Sequence, residues 1–239
     1  MMQPHPGTGY DMAITMFSPD GRIFQVEYAR ESVKRGATVI GIKYKGGIVL
    51  AADKKTTSRL AVPESIEKLF QIDDHIGVAA SGMIADTRAL VERMRANAQA
   101  NRTLYNEPVD VRTLAKDTCD FMQLYTQYGG VRPFGTSILA AGMDPIAGLY
   151  EIDPSGALVG YKATAIGEGR RAVMELFEEN YSEGMNRDES IKLALEALRD
   201  VKEGKLTGET IDLAIIDLKD GYMKFSAEGY IASLKQKKS

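Results

Sequence analysis

Strand-like runs that double back over tight turns, two pairs at a time with amphipathic helices between them, constrain this chain more than any other feature of its sequence. ATVIGIKY and GIVLAADK meet at Lys45-Gly46-Gly47, and EKLFQI and IGVAAS meet at Asp73-Asp74-His75. Each pair reads as a hairpin, because β-rich segments flank turn-forming residues. Two helices are expected next. From Ile84, the residues Thr87, Val91, Met94 and Ala98 recur at helical spacing, and after Pro108 and a capping Asp110 so do Val111, Leu114, Thr118, Met122 and Tyr125. The pattern then repeats: FGTSILAAGM, GLYEID and LVGYKATAIG are strand-like around an Asp153-Pro154-Ser155-Gly156 turn. Helices are expected over 170–179 and 188–203, and TIDLAIIDL and YMKFSA close a last hairpin at Lys219-Asp220-Gly221. Hairpins imply antiparallel sheets, and two helix pairs can cover two such sheets from outside. The expected class is α+β, a four-layer α-β-β-α sandwich, although other α+β arrangements also satisfy the pattern. No linker divides it, so residues 10–234 read as one domain between a flexible tail at 1–9 and a basic solvated tail at 235–239.

Ahead of the first hairpin, YDMAITMFSPDG alternates through Ala13, Ile14, Met16 and Phe17 and ends at the turn Ser18-Pro19-Asp20-Gly21. RIFQVEYARESVKR then places Ile23, Val26, Ala29 and Val33 on one helical stripe, opposite Gln25, Arg30 and Lys34, with Gly36 where a helix ends.

Composition excludes several functions. The 239 residues carry 30 Lys and Arg against 33 Asp and Glu, a net charge of -3, which gives no electrostatic reason for a nucleic-acid or anionic-membrane partner. Apolar runs such as 48–52 and 137–143 fall far short of the roughly 20 residues that span a bilayer. MMQPHPGTG lacks the basic start and apolar stretch of a signal peptide. One cysteine, Cys119, forms no internal disulfide, and the expectation is a cytoplasmic protein.

Few side chains suit catalysis. His5 lies in the tail, His75 reads as a solvated turn residue, and Cys119 shares a helical face with Ala115 and Met122 and reads as a packed thiol. Metal-ligand spacings are absent from the sequence, and no cofactor or metal is expected. Gly167-Glu168-Gly169-Arg170 lacks the Lys-Ser/Thr of a phosphate loop and reads as a strand-to-helix turn. More suggestive is a β-run at Thr38 to Ile42, with Asp53 ending the next strand and Lys68 opening another. An N-terminal-nucleophile hydrolase needs a Thr, Ser or Cys at a mature N-terminus, beside a Lys that an acid orients. Here Ala37 occupies that slot, and activity would require cleavage before Thr38. Asp53 and Lys68 read either as an ordinary surface ion pair or as a reused polar site.

The stretch YDMAITMFSPDGRIFQVEYARESVKRG resembles the signature of proteasome α subunits, and ESIEKLFQID, SGMIADTRALV, QLYTQYGGVRPFGTSIL, IDPSG and KATAIGEG continue the resemblance, closest to the archaeal type. It covers nearly the whole chain from Tyr10. The resemblance implies the N-terminal-nucleophile sandwich with an extra N-terminal helix, seven copies in a ring, and two such outer rings enclosing rings of catalytic β subunits. By resemblance the α subunit cleaves nothing itself: the catalytic threonine of β subunits matches Ala37, which has no nucleophilic atom, and the supporting acid and lysine match Asp53 and Lys68. The N-terminal helix, lacking in β subunits, is expected to plug the cleft.

The work the resemblance implies is gating of protein degradation. Tails before Tyr10 obstruct the axial opening, and a cluster matching Tyr10, Asp11, Pro19 and Tyr28 holds it open between neighbouring subunits. This chain has Met12 where the signature has Arg, which removes a charge that could pair with Asp11 of a neighbour. Regulatory AAA ATPase rings, whose C-terminal tails end hydrophobic-Tyr-any residue, dock in pockets between α subunits where Lys68 meets the terminal carboxylate and Gly82 permits close approach. Unfolded proteins are the implied substrates.

Overall fold

The computed structural model describes residue 10, residues 13–54, 60, 62, 65–202 and 206–236. Its first element, α1 (Phe24–Lys34), is shorter than the expected helix because Ile23 holds an extended N-cap conformation. Val26, Ala29 and Val33 are its buried residues, so the sequence stripe is the face that docks. Burying two valines and an alanine contributes on the order of 4 kcal/mol before entropy is counted.

Ten strands form two antiparallel five-stranded sheets. The first has the order β10-β9-β2-β1-β8, from β1 (Val39–Tyr44), β2 (Gly47–Asp53), β8 (Ala163–Ile166), β9 (Ile211–Asp217) and β10 (Gly221–Phe225). The second runs β3-β4-β5-β6-β7, from β3 (Leu69–Asp73), β4 (Ile76–Gly82), β5 (Thr136–Asp144), β6 (Ile146–Ile152) and β7 (Leu158–Gly160). The expected hairpins are all present: Tyr44 faces Gly47, Asp73 faces Ile76 and Asp217 faces Gly221.

One expectation needs correction. LVGYKATAIG reads in sequence as a single strand, whereas the chain leaves the second sheet after Gly160, passes through Tyr161 and Lys162, and joins the first sheet at Ala163. β7 pairs with β6 while β8 pairs with β1, so the ten residues serve both layers.

Helices α2 (Ile84–Tyr105) and α3 (Val111–Leu124) cover the second sheet, and α4 (Arg170–Asn180) and α5 (Arg187–Val201) cover the first. Asp110 caps α3 as the sequence suggests, accepting from the Thr113 N-H at 2.9 Å. Asn186 and Glu189 form a reciprocal capping box at the start of α5. Alternation sorts the side chains into three apolar layers. Val49, Ala51, Leu213 and Ile215 meet α5, Ile48, Leu50, Ala79 and Leu139 fill the space between the sheets, and Val78, Ala80 and Ile138 meet α2 and α3. The α-β-β-α sandwich is therefore realised. A further helix, α6 (Glu228–Gln236), follows β10, where the sequence pattern predicts none, and its Ile231 joins the layer beneath α5.

Candidate functional site: the N-terminal turn and helix and the surroundings of Lys68

The N-terminal turn is held by its own backbone. Gly21 N-H donates to the Ser18 carbonyl at 2.8 Å and Ser18 N-H to the Arg22 carbonyl at 2.9 Å, while the buried Ser18 Oγ accepts from Arg22 N-H at 3.1 Å. Gly21 sits at φ +74°, a region that glycine enters without steric cost. Pro19 is therefore presented outward on a fixed loop, and Tyr28 projects from α1 with 43% of its surface exposed. Tyr10 is partly exposed. Asp11 and Met12 lie outside the described residues.

From that turn α1 runs across the ends of β4 and β5. Its C-terminus sits flush on β4: a Cβ on Gly36 would fall 2.3 Å from Ser81 Oγ and 2.5 Å from the Gly82 nitrogen. The Ser81 hydroxyl, fully buried, donates to the Ala37 carbonyl at 2.9 Å, with the Val33 carbonyl at 3.3 Å. On the opposite flank, Arg30 spans to the turn after β6, with its Nη2 2.9 Å from Asp153 Oδ1 and its Nε 3.0 Å from Oδ2. A pocket of about 740 Å³ remains between α1 and α4, lined by Val33, Asp153, Ile166, Gly167, Arg170 and Met174 among others.

Ala37, the residue in the expected nucleophile slot, is buried and continuous with α1 through Gly36. Thr38 is occupied too, its Oγ1 accepting from Gly169 N-H at 2.9 Å. Glu168 N-H donates to the Gly36 carbonyl at 2.9 Å. The 167–170 segment is thus a strand-to-helix turn as expected, and these two amides serve the chain itself.

Asp53 and Lys68 are neither exposed nor joined to each other, which corrects the surface-pair reading. The carboxylate of Asp53 is held by Lys202, just past α5, in an ion pair between two largely buried side chains. Lys68 is buried, and among the described residues its ammonium makes no hydrogen bond or ion pair. Burial lowers its proton affinity, with the Asp53 charge offsetting part of the effect. Lys202 escapes sequence reasoning because 149 residues separate it from Asp53 and nothing in a solvated helix end advertises such a partner.

Gly82 ends β4, the strand that pairs with the chain at Lys68. The Lys68 carbonyl accepts from Ala80 N-H at 3.1 Å, which places Gly82 two residues further along β4, roughly 7 Å on. Gly82 has φ +113°, and a Cβ there would fall 2.2 Å from the Gly135 carbonyl oxygen. Its glycine requirement thus has an internal cause, independent of any ligand. Gly135 in turn ends a loop fastened by Asp86, whose carboxylate takes Arg132 at 2.6 and 2.7 Å and the Gly135 N-H at 2.8 Å.

The other candidates are structural. His75 is partly buried, with its Nε2 2.8 Å from the Val109 carbonyl, and so ties the β3–β4 turn to the start of α3 rather than standing in solvent. Cys119 is buried as expected, and burial pushes its thiol up to about 12. Among the described residues no group of three or more His, Cys, Asp or Glu could hold a metal ion, and no helix is long and apolar enough to cross a membrane.

Comparison with known proteins agrees with this architecture. Residues 33–216 match the family model described as proteasome subunit, and residues 10–31 match the N-terminal signature of A-type proteasome subunits. The chain is 58% identical over 220 residues to the proteasome alpha subunit of Methanothermobacter thermautotrophicus, covering 92% of this chain and 89% of that one. It is 58% identical over 220 residues to that of Methanosarcina barkeri, covering 92% and 88%. With that of Methanopyrus kandleri it shares 56% identity over 218 residues, covering 91% and 88%. The signature falls on the N-terminal turn and α1, the family model spans most of both sheets, and the chain accordingly belongs to the proteasome α-subunit family.

Proposed function

We propose that this chain forms the gated, non-catalytic outer ring of a cytoplasmic proteasome core particle, seven copies to a ring, stacked on rings of catalytic β subunits. The observation that carries this reading is the state of Ala37. An N-terminal-nucleophile protease needs a side-chain oxygen or sulfur and a free amine at this position. Here the side chain is a methyl, the nitrogen is in peptide linkage to Gly36, and the carbonyl is engaged by Ser81. The cleft is used for support. α1 fills it, and the residues matching the supporting acid and lysine of β subunits are separated, Asp53 by its pairing with Lys202.

In this reading Tyr10, Asp11, Pro19 and Tyr28 contribute to an intersubunit cluster that biases the tail 1–9 between closed and open arrangements. A two-state gate shifts only by a ligand's differential affinity for the two states. The turn at Pro19 supports the role because its hydrogen bonds let it move as a unit rather than deform. Lys68 supports a docking role for the C-terminal tail of a regulatory ATPase: among the described residues its enclosed ammonium has no ion-pair partner, and a terminal carboxylate supplies one. Several tethered tails raise the effective concentration, so individually weak contacts suffice. Unfolded polypeptide is the cargo admitted.

The test is native mass spectrometry and peptidase assay of the chain alone and after mixing with a proteasome β subunit. A seven-fold ring without activity, which gains peptidase activity only with β, is the expected result. Activity from the chain alone, with a mass lacking the first 37 residues, would overturn the proposal.

A further inference from the structure

Among the described residues four lysines stand around the end of β2, and three of them have an ion-pair partner, two sharing one carboxylate. Lys54 Nζ lies 2.7 Å from Asp212 Oδ1, Lys224 Nζ lies 3.2 Å from the other oxygen of the same carboxylate, and Lys202 holds Asp53. Among the described residues, Lys68 is left over. Its residue is only 7% exposed, and among the described residues the charge that acts on it, Asp53, is already claimed. An ammonium withdrawn from water without its own counter-ion loses its proton more readily than a solvated one, and the amine it leaves is a nucleophile. Exposed lysines such as Lys219 have water to stabilise their charge.

We propose that Lys68 is a site of acylation by small acyl thioesters. The neutral Nζ attacks the thioester carbonyl carbon, a C–N bond forms as the C–S bond breaks, and the thiolate leaves with the proton that nitrogen gives up through water. The product is an uncharged amide and a free thiol, so no oxidant or reductant is involved. The pocket then holds no cation for an incoming carboxylate. The consequence for gating rests on the docking reading above, whereas the reactivity itself does not: acylation of Lys68 converts a tail-accepting pocket into one that rejects the terminal carboxylate.

The experiment treats the assembled full-length ring with a limiting amount of S-acetyl-N-acetylcysteamine at a series of pH values. The protein is then denatured, every remaining amine is capped with isotopically heavy acetyl groups, and the occupancy of each lysine is read by peptide mass spectrometry. Near neutral pH, Lys68 is expected to acetylate several-fold faster than Lys219, with the advantage vanishing at strongly alkaline pH where all lysines are neutral. A Lys68 rate equal to or below that of Lys219 throughout overturns the proposal. Lys202→Met supplies a second test, because it frees Asp53 to pair with Lys68. Slower acetylation of Lys68 with Lys219 unchanged is expected, and no change counts against the counter-ion argument. A peptide ending hydrophobic-Tyr-any residue, added to the acetylated ring, separates the two readings: retained binding by a ring acetylated at Lys68 leaves the reactivity standing and removes the docking role.

Discussion

Arg30 on α1 lies side-on against Asp153 at the end of β6, with its Nη2 and Nε each near 3 Å from a carboxylate oxygen. The acid is set in place beforehand by Ser155, whose N-H and hydroxyl reach Oδ1 at 2.9 and 2.6 Å. This clamp supplements the three buried residues of a short helix. Because 45% of the arginine side chain remains exposed, Arg30→Ala is expected to cost no more than about 1 kcal/mol of global stability. The local effect is larger: amide exchange across α1 should accelerate while that of β1 and β5 stays unchanged, and unaltered exchange in α1 would refute the clamp.

The same pair predicts a pH response. Burial raises the Asp153 carboxyl, but hydrogen bonds from Arg30 and Ser155 outweigh it and hold the group below its ordinary range. A carboxylate depressed in the folded state contributes stability above its unfolded pKa and loses it as pH falls through the folded value. Stability of the wild-type chain relative to Asp153→Asn should therefore narrow below about pH 4, the ordinary carboxylate range, as measured by urea unfolding at stepped pH.

Asp86→Ala is the more damaging change. Arg132 is the main cause of the low proton affinity of Asp86, and the same carboxylate satisfies the Gly135 N-H. Removing it leaves a buried donor without a partner, a loss of roughly 2 to 3 kcal/mol. Arg132→Ala, which removes a cation exposed over half its side chain, should cost less. Denaturant midpoints of the two variants check that order.

Gly82→Ala should destabilise by about 2 kcal/mol or more through its left-handed backbone alone, with the Gly135 oxygen adding a clash. Loss of activator response in that variant would therefore say little about docking. Lys68→Ala is the cleaner probe: assembly and tripeptide hydrolysis should persist while activator-stimulated breakdown of unfolded protein falls, and failure to assemble would argue against a pocket role.

Cys119 should resist a thiol reagent such as DTNB in the native protein at mildly alkaline pH and react fully once unfolded, since burial pushes its ionisation up to about 12. Rapid native labelling would show that α3 opens readily.

Hairpins, helix stripes and the Asp110 cap are legible because each is written in neighbouring residues. The β7–β8 break is not, since Tyr161 and Lys162 carry no turn signal and only tertiary pairing separates the sheets there. His75 looks like a turn residue by position, yet its partner Val109 lies 34 residues away. The sequence points to Ala37, Asp53 and Lys68, but how Asp53 and Lys68 divide depends on Lys202, whose approach is set by where α5 ends. Pro19 lies on the turn ahead of α1 and Tyr28 on the helix itself, while the proposed cluster of Tyr10, Asp11, Pro19 and Tyr28 would form between chains and leaves no trace in one.

The crossing between β7 and β8 also orders events in time. The first sheet takes two strands from the start of the chain, one from the crossing and two from near its end, with β9 inserted between β2 and β10. On a ribosome, β1 and β2 must therefore wait with one edge open until residue 217 has emerged, whereas β3 to β7 can pair consecutively as they appear. Such long-range pairing slows folding and leaves an apolar edge exposed meanwhile. Nascent chains truncated before β9 should thus be the species that chaperones hold, with the half containing the second sheet already protected from protease.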